Sequence, residues 1–307
     1  MRIGIIGAGA LGTLFGYRLA QSNEVSMLEI SPGVVAAIRS QGLGSTERSE
    51  RRPVAISSTA RDLFASQVLF VFVRATDTVR ALRPFVNELD PACAIVSLQS
   101  GVSNEDAVKA ALGGNVALVI GATTEAALTL APGTVAPVGT GTTIVGPGGA
   151  SPEVCVRVAR LLSEAGIAAS VAYDIRPHLW GKLIANAAIN PVAALLDRPN
   201  GVVLTDANAG DLARSLAHEA AAVAGAIRVA LPFDDPWSYV RSIVEQTAEL
   251  RNTMLTDLRA RAKTENDHIS GAVVAAGRRA GVATPYNDTM FRLIRAREAA
   301  AAGPGGA

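Results

Sequence analysis

Residues 178–190 read "HLWGKLIANAAIN", and within this apolar stretch Lys182, Asn186 and Asn190 recur at every fourth position. At 3.6 residues per turn such a series lies along one ridge of a helix, flanked by Leu179, Trp180, Leu183, Ile184, Ala187, Ala188 and Ile189. Burial among apolar neighbours draws a lysine pKa down toward neutrality. The ammonium then becomes a useful acid, able to stabilise negative charge developing on a carbonyl oxygen and to deliver a proton to it. The two amides beside it supply neutral donors and acceptors. The competing reading is a lysine that snorkels from a buried helix, with asparagines that cross-link helices.

A second constellation stands at the N-terminus. In "IGIIGAGALG", Gly7, Gly9 and Gly12 fall between an apolar β-branched run and an amphipathic stretch. Gly7 allows a tight turn, Gly9 lets the backbone approach a pyrophosphate, and Gly12 lets helix and strand pack closely. Ala8, Ala10 and Leu11 complete the turn, and the helix N-terminus faces the anion. Glu29, at the end of the next apolar run in "VSMLEIS", is placed to accept from both hydroxyls of an adenosine ribose and would repel a 2′-phosphate. The sequence therefore favours NAD(H). NADP(H) is the alternative, requiring Arg39 or an arginine of "RSERR" (48–52) to fold over the ribose while Glu29 turns to solvent.

The elements that must carry these residues follow from periodicity. Ile3 to Ile6, Val25 to Leu28, Val68 to Val73, Ala94 to Leu98 and Val116 to Ile120 have the composition of buried strands, with helices expected near 10–21, 77–89 and 103–112. Such alternation implies a parallel sheet covered on both faces. The Gly-, Pro- and Thr-rich stretch 124–147 suggests hairpins added at the sheet edge, followed by a helix near 152–165 and a strand at 167–172. From about 174 the spacing is helical throughout. The expected architecture is α/β: a Rossmann-type dinucleotide-binding domain over 1–173, an all-helical substrate domain over 174–298 whose Lys182 ridge can face a cleft between the domains, and a disordered tail over 299–307.

Composition narrows the partners. The 307 residues include 28 basic and 27 acidic side chains mixed along the chain, for a formal charge of +1, so neither nucleic acid nor anionic membrane is an expected partner. No apolar run reaches the ~20 residues of a membrane span, and no cleavable signal precedes the first strand. The two cysteines, Cys93 and Cys155, lie far apart, and the three histidines show no metal-ligand spacing. A cytoplasmic protein without a metal and with a small-molecule partner is expected. The sequence leaves the oligomeric state open, a homodimer included.

With the Gly-rich turn at one end and "LWGKLIANAAINP" in the middle, the chain resembles the ketopantoate reductase (2-dehydropantoate 2-reductase) family. The likeness extends to "RPNG" at 198–201 and "TMLTDLRARAKTENDHISG" at 253–271. The resemblance implies hydride transfer from a reduced nicotinamide to the keto carbon of a 2-oxo acid, converting ketopantoate to pantoate in pantothenate biosynthesis. It makes Lys182 the catalytic lysine and Glu265 the glutamate that bonds the substrate oxygen and holds the lysine. Asn186 and Asn190 become substrate or lysine ligands, and Thr253 the hydroxyl that meets the substrate carboxylate. The competing reading of Glu265 is an ordinary exposed helix charge.

Three positions depart from the family's pattern. Arg74, in "FVFVRATDT", replaces a lysine at the cofactor and keeps the charge in a different geometry. Ser100, in "SLQSGVSN", replaces an asparagine expected to touch cofactor and substrate, and offers one donor instead of two. Glu29 stands where NADP-dependent members carry a basic residue. Two further readings therefore accompany the first: an NAD-dependent D-2-hydroxyacid dehydrogenase acting on another bulky 2-oxo acid, and a catalytically silent NAD(H)-sensing protein, against which the retained Lys182 and Glu265 argue.

Overall fold

The computed structural model describes residues 1–99 and 101–302. They fall into two compact units, one of Met1–Gln99 with Asn104–Ile175, the other of residues 101–103 with the described chain from Arg176 onward.

In the first unit, β1 (Arg2–Ile6), α1 (Ala10–Leu19), β2 (Glu24–Leu28), α2 (Pro32–Gln41), β3 (Leu43–Ser45), β4 (Arg48–Arg52), β5 (Ala55–Ser57), β6 (Val68–Val71) and α3 (Thr78–Leu82) follow one another. Then come β7 (Ala94–Ser97), α4 (Asn104–Leu112), β8 (Ala117–Thr123), β9 (Ala127–Ala131), β10 (Thr134–Pro137), β11 (Thr143–Pro147), α5 (Pro152–Glu164) and β12 (Ala169–Val171). The main sheet has the order β12-β11-β8-β7-β6-β1-β2-β5. It is parallel except where β11 runs against β8. Ile3, Ile5, Val68, Phe70 and Val96 are fully buried in it, as expected for strands covered on both faces. The chain starts in the middle at β1, winds out to β5 and crosses back to β6, so the end of β1 is the switch point where such sheets bind ligands.

The second unit consists of α6 (Arg176–Leu195), α7 (Val202–Thr205), α8 (Ala207–Ala226), α9 (Pro236–Thr247), α10 (Thr253–Arg259), a 3₁₀ turn (Asn266–His268), α11 (Ser270–Ala280) and α12 (Pro285–Ala302). Asp206 and Asp235 cap α8 and α9 by accepting from Ala209 N (2.9 Å) and Ser238 N (2.7 Å). Ala209, Ala213, Ala217, Ala220 and Ala224 bury one narrow face of α8, and their small side chains let it lie close against α6.

Three sequence expectations need correction. The 77–89 helix is only α3 between two 3₁₀ turns, because Pro84 removes a backbone donor and Asn87 takes a left-handed φ of 61°. The 124–147 segment does not add hairpins to the main sheet as a block. Only β11 joins it, while β9 and β10 pair with β3 and β4 in a separate four-stranded sheet. That sheet packs on α1, where half-buried Arg18 reaches Glu47 beyond β3 (2.6 Å) and Glu125 before β9 (3.0 Å). Residues 32–57, not assigned from periodicity, hold α2 and three short strands. Residues 299–302 continue α12 instead of belonging to a tail, since alanine is the best helix former; 303–307 lie outside the described residues.

Candidate active site

The glycine turn joins β1 to α1. Gly7 has φ 99°, a left-handed conformation, and a Cβ there would lie 3.0 Å from the Phe72 carbonyl oxygen. A Cβ on Gly12 would fall on the Gly7 carbonyl oxygen, so strand and helix approach as closely as they do only because both residues are glycine. Gly9 is different: it has open space where a Cβ would stand, and it is the N-cap of α1. The N–H groups of the first helical turn, from Ala10 and Leu11 on, have no intrahelical acceptors and are left for an anion.

Glu29 lies just beyond β2 and is folded against this turn. Its carboxylate accepts from Ala8 N (3.0 Å), Ile30 N (2.8 Å) and Ser31 N (2.9 Å). With about four lone-pair sites, it retains acceptor capacity beyond these three bonds. A dinucleotide fits this combination of an open, glycine-lined helix N-terminus and an anchored carboxylate. Of the arginines named as candidates to neutralise a 2′-phosphate, Arg48 is exposed and lies 3.9 Å from the Glu50 carboxylate, while three others are bound to backbone carbonyls. Arg39 donates to Ile56 O (3.2 Å), Arg51 to Gln41 O (2.6 Å) and Gly42 O (2.9 Å), and Arg52 to Tyr17 O (2.9 Å).

Arg74 is exposed and precedes a 3₁₀ turn beginning at Ala75, two residues after the Phe72 backbone that Gly7 abuts. Gln99, which the sequence reading passed over, fixes that turn. Its amide donates to Val73 O (2.6 Å) and Thr78 Oγ1 (2.8 Å), and its carbonyl accepts from Ser97 Oγ (2.9 Å). A polar side chain directly after a buried strand was the available signal. Ser100 lies outside the described residues.

In the second unit α6 presents the ridge as expected. Lys182 and Asn186 are half-buried and Asn190 is buried, while Leu183, Ile184, Ala187 and Ala188 sit in the helical core. Burial pushes the Lys182 ammonium down to about 8, and the charge of Glu265 acts on it in the opposite direction. The fold thus brings together two side chains that are 83 positions apart in the chain.

Glu265 opens the 3₁₀ turn between buried Thr264 and Asn266. That turn is anchored to α12, where Glu298 accepts from Thr264 N (2.8 Å) and Thr264 Oγ1 (2.6 Å) and Phe291 O accepts from Asn266 Nδ2 (2.9 Å). No sequence signal marks Glu298. Thr253 is exposed at the start of α10. Asn252, also unremarked in sequence, caps that helix by accepting from Leu255 N (3.0 Å) and donates to Asn200 Oδ1 (2.9 Å). Asn200 of the "RPNG" motif therefore sets where α10 begins. Among the described residues no cluster of three or more His, Cys, Asp or Glu could hold a metal, and no helix is long and apolar enough to cross a membrane.

Family models described as "Ketopantoate reductase PanE/ApbA" and "Ketopantoate reductase PanE/ApbA C terminal" match residues 3–149 and 174–298. The chain belongs to the ketopantoate reductase family. The 2-dehydropantoate 2-reductase of Archaeoglobus fulgidus is 34% identical over 97% of this chain and 98% of its own. That of Pyrococcus abyssi is 30% identical over the same shares. The solved structure of a PanE/ApbA family ketopantoate reductase from Ralstonia eutropha superposes with a TM-score of 0.90 at 28% identity, covering 98% of this chain and 100% of that one. A ternary structure of D-mandelate dehydrogenase with NADH and anilino(oxo)acetate gives 0.91 at 25% identity over the same shares. As a ketopantoate reductase family member, the chain is a nicotinamide-dependent oxidoreductase acting on a 2-oxo acid.

Proposed function

We propose that the protein reduces ketopantoate to pantoate with NADH, and that Lys182 is the acid. The observation that carries this reading is a half-buried ammonium with its pKa lowered to about 8 on an apolar helix, under the charge of Glu265. The bound cofactor supplies the hydride. As negative charge grows on the keto oxygen, the Lys182 Nζ stabilises it and transfers a proton to it. Glu265 keeps the lysine charged in its desolvated setting and can accept from the hydroxyl formed once the keto oxygen has taken the proton. Asn186 and Asn190 line the same ridge as neutral partners, and the exposed Thr253 hydroxyl is available to the substrate carboxylate. Arg74 and the α1 N-terminus serve the cofactor phosphates, and Glu29 the ribose hydroxyls.

A second reading, an NAD-dependent dehydrogenase of another bulky 2-hydroxy acid, is favoured by Glu29, by Ser100 in place of an amide, and by the likeness to D-mandelate dehydrogenase. Steady-state assays of ketopantoate, branched and aromatic 2-oxo acids with NADH and NADPH separate the two. The highest kcat/KM on ketopantoate supports the first, and a clear preference for an acid lacking its hydroxyl supports the second. No turnover of any member would leave a silent NAD(H)-binding protein. For location we infer the cytoplasm, supported by two buried free thiols, of which Cys93 is pushed by burial up to about 12.

The role of Lys182 has a pH signature. Because the protonated lysine is the acid, kcat/KM for 2-oxo acid reduction should be level below about 8 and fall as pH rises through that value. In the oxidative direction the free amine is the base, so the sign reverses. Glu265→Gln removes the charge that raises the lysine pKa and should move the break to lower pH. An unmoved break in pH–rate profiles of this variant would remove the electrostatic link between the two residues.

A further inference from the structure

Residues 101–103 connect β7 to α4 of the first unit, yet they belong to the second. Val102 packs against the helical core. The Ser103 hydroxyl shares a hydrogen bond of 3.1 Å with Nδ1 of His268. Since a hydroxyl both donates and accepts, this bond forms with either neutral imidazole tautomer and with the imidazolium.

The position of His268 gives the contact its meaning. His268 closes the one-turn 3₁₀ helix that Glu265 opens, its N–H donating to Glu265 O (2.9 Å). The other end of the turn is held independently, by Glu298 on Thr264 and by the Phe291 carbonyl on Asn266. Removing the imidazole therefore leaves the Glu265 turn anchored and takes away one polar tie of the 101–103 segment to it.

We propose that Ser103 and His268 form a latch that holds the residues immediately after position 100 against the Glu265 turn, making both of them positioning residues for the 2-oxo acid. The proposal rests on the reading of Lys182 and Glu265 as the catalytic pair. Position 100 is where this chain has a serine in place of an amide, and a shorter side chain tolerates less drift of the backbone that carries it. A segment ordered before binding does not have to be ordered by the substrate, so the latch contributes to substrate affinity. The proton-transfer step, carried by α6 and the separately anchored turn, does not depend on it.

His268→Ala and Ser103→Ala should each raise KM for the 2-oxo acid about 3- to 10-fold, the worth of one neutral hydrogen bond, with kcat and KM for NADH unchanged. The double variant should be no worse than either single one, and His268→Asn, whose amide reaches the place of Nδ1, should restore most of the loss. Additive losses, a fall in kcat as large as the rise in KM, or an unchanged KM would overturn the proposal. Amide deuterium exchange of the unliganded protein reads the latch without catalysis: residues 102 and 103 should exchange faster in His268→Ala while 264–268 keep their protection, and no change at 102–103 refutes the latch. If the unaltered protein reduces no 2-oxo acid, the reductase reading fails and the positioning role with it, while the exchange result still decides whether the latch exists.

Discussion

Replacing Lys182 with alanine is expected to lower kcat by about 10²- to 10⁴-fold, the range a positioned general acid supplies, with the Kd for NADH nearly unchanged. Gly7, Gly9, Gly12 and Glu29, the residues proposed to hold the cofactor, all stand in the first unit and Lys182 in the second, so the substitution removes no expected cofactor ligand. The fold should tolerate it as well. Alanine is the better helix former, and the removed group is a charge held among apolar side chains at a desolvation cost. A control separates charge from packing: Lys182→Met preserves most of the volume and should be as inactive as the alanine variant. Near-normal turnover in either variant, measured with saturating NADH, would place the acid elsewhere. Arginine at this position keeps the charge but does not release a proton near neutrality, so Lys182→Arg is expected to bind substrate and turn over slowly.

Glu29→Arg is expected to reverse the cofactor preference. A hydrogen bond to a charged group is worth about 1.5–3 kcal/mol, so loss of the carboxylate should weaken NADH by roughly one to two orders of magnitude. NADPH should gain at the same time, because its 2′-phosphate exchanges a facing carboxylate for a guanidinium, and this gain should shrink as salt is raised. The carboxylate also holds the backbone at Ala8, Ile30 and Ser31, so part of the NADH loss comes from loosening the turn itself. Glu29→Gln separates the two effects in part: its single carbonyl oxygen can keep the Ile30 and Ser31 bonds but not the Ala8 bond as well, so NADPH should improve as the repulsion goes while NADH loses less than in Glu29→Arg. In the unaltered protein kcat/KM should favour NADH at low and high salt alike. An NADPH preference that falls with salt would mean that a basic side chain, the exposed Arg48 or an arginine released from its carbonyl acceptor, meets the phosphate, and would overturn this expectation.

The two units are unequal in how far local sequence specifies them. The strands β1, β2, β6, β7 and β8 are apolar runs whose burial on both faces is set by composition alone, and α6 is visible because three polar residues share one helical face. The glycine turn is legible for the same reason, since each glycine answers a local demand: a positive φ at Gly7, an open approach at Gly9, a close packing distance at Gly12. Residues 43–57 and 127–137 show the limit. β3, β4 and β5 are short, and "RSERR" has no alternation of apolar and polar residues. The second sheet packs on α1, where Arg18 meets Glu47 and Glu125, partners 29 and 107 positions away.

The sequence by itself determined the residue types of the site and the elements that carry them: the cation and amides on α6, the glycine turn with its acidic residue, and the order of sheet and helices. These follow from contacts within a few residues, where spacing is geometry. The resemblance alone paired Glu265 with Lys182; only the tertiary structure decided that Glu298 near the end of α12 holds the turn bearing Glu265, that Gln99 fixes the turn bearing Arg74, and that Arg39, Arg51 and Arg52 are bound to backbone carbonyls. Each of these depends on side chains distant in sequence converging through packing of the elements between them, and one sequence read alone has no period or spacing that records such convergence.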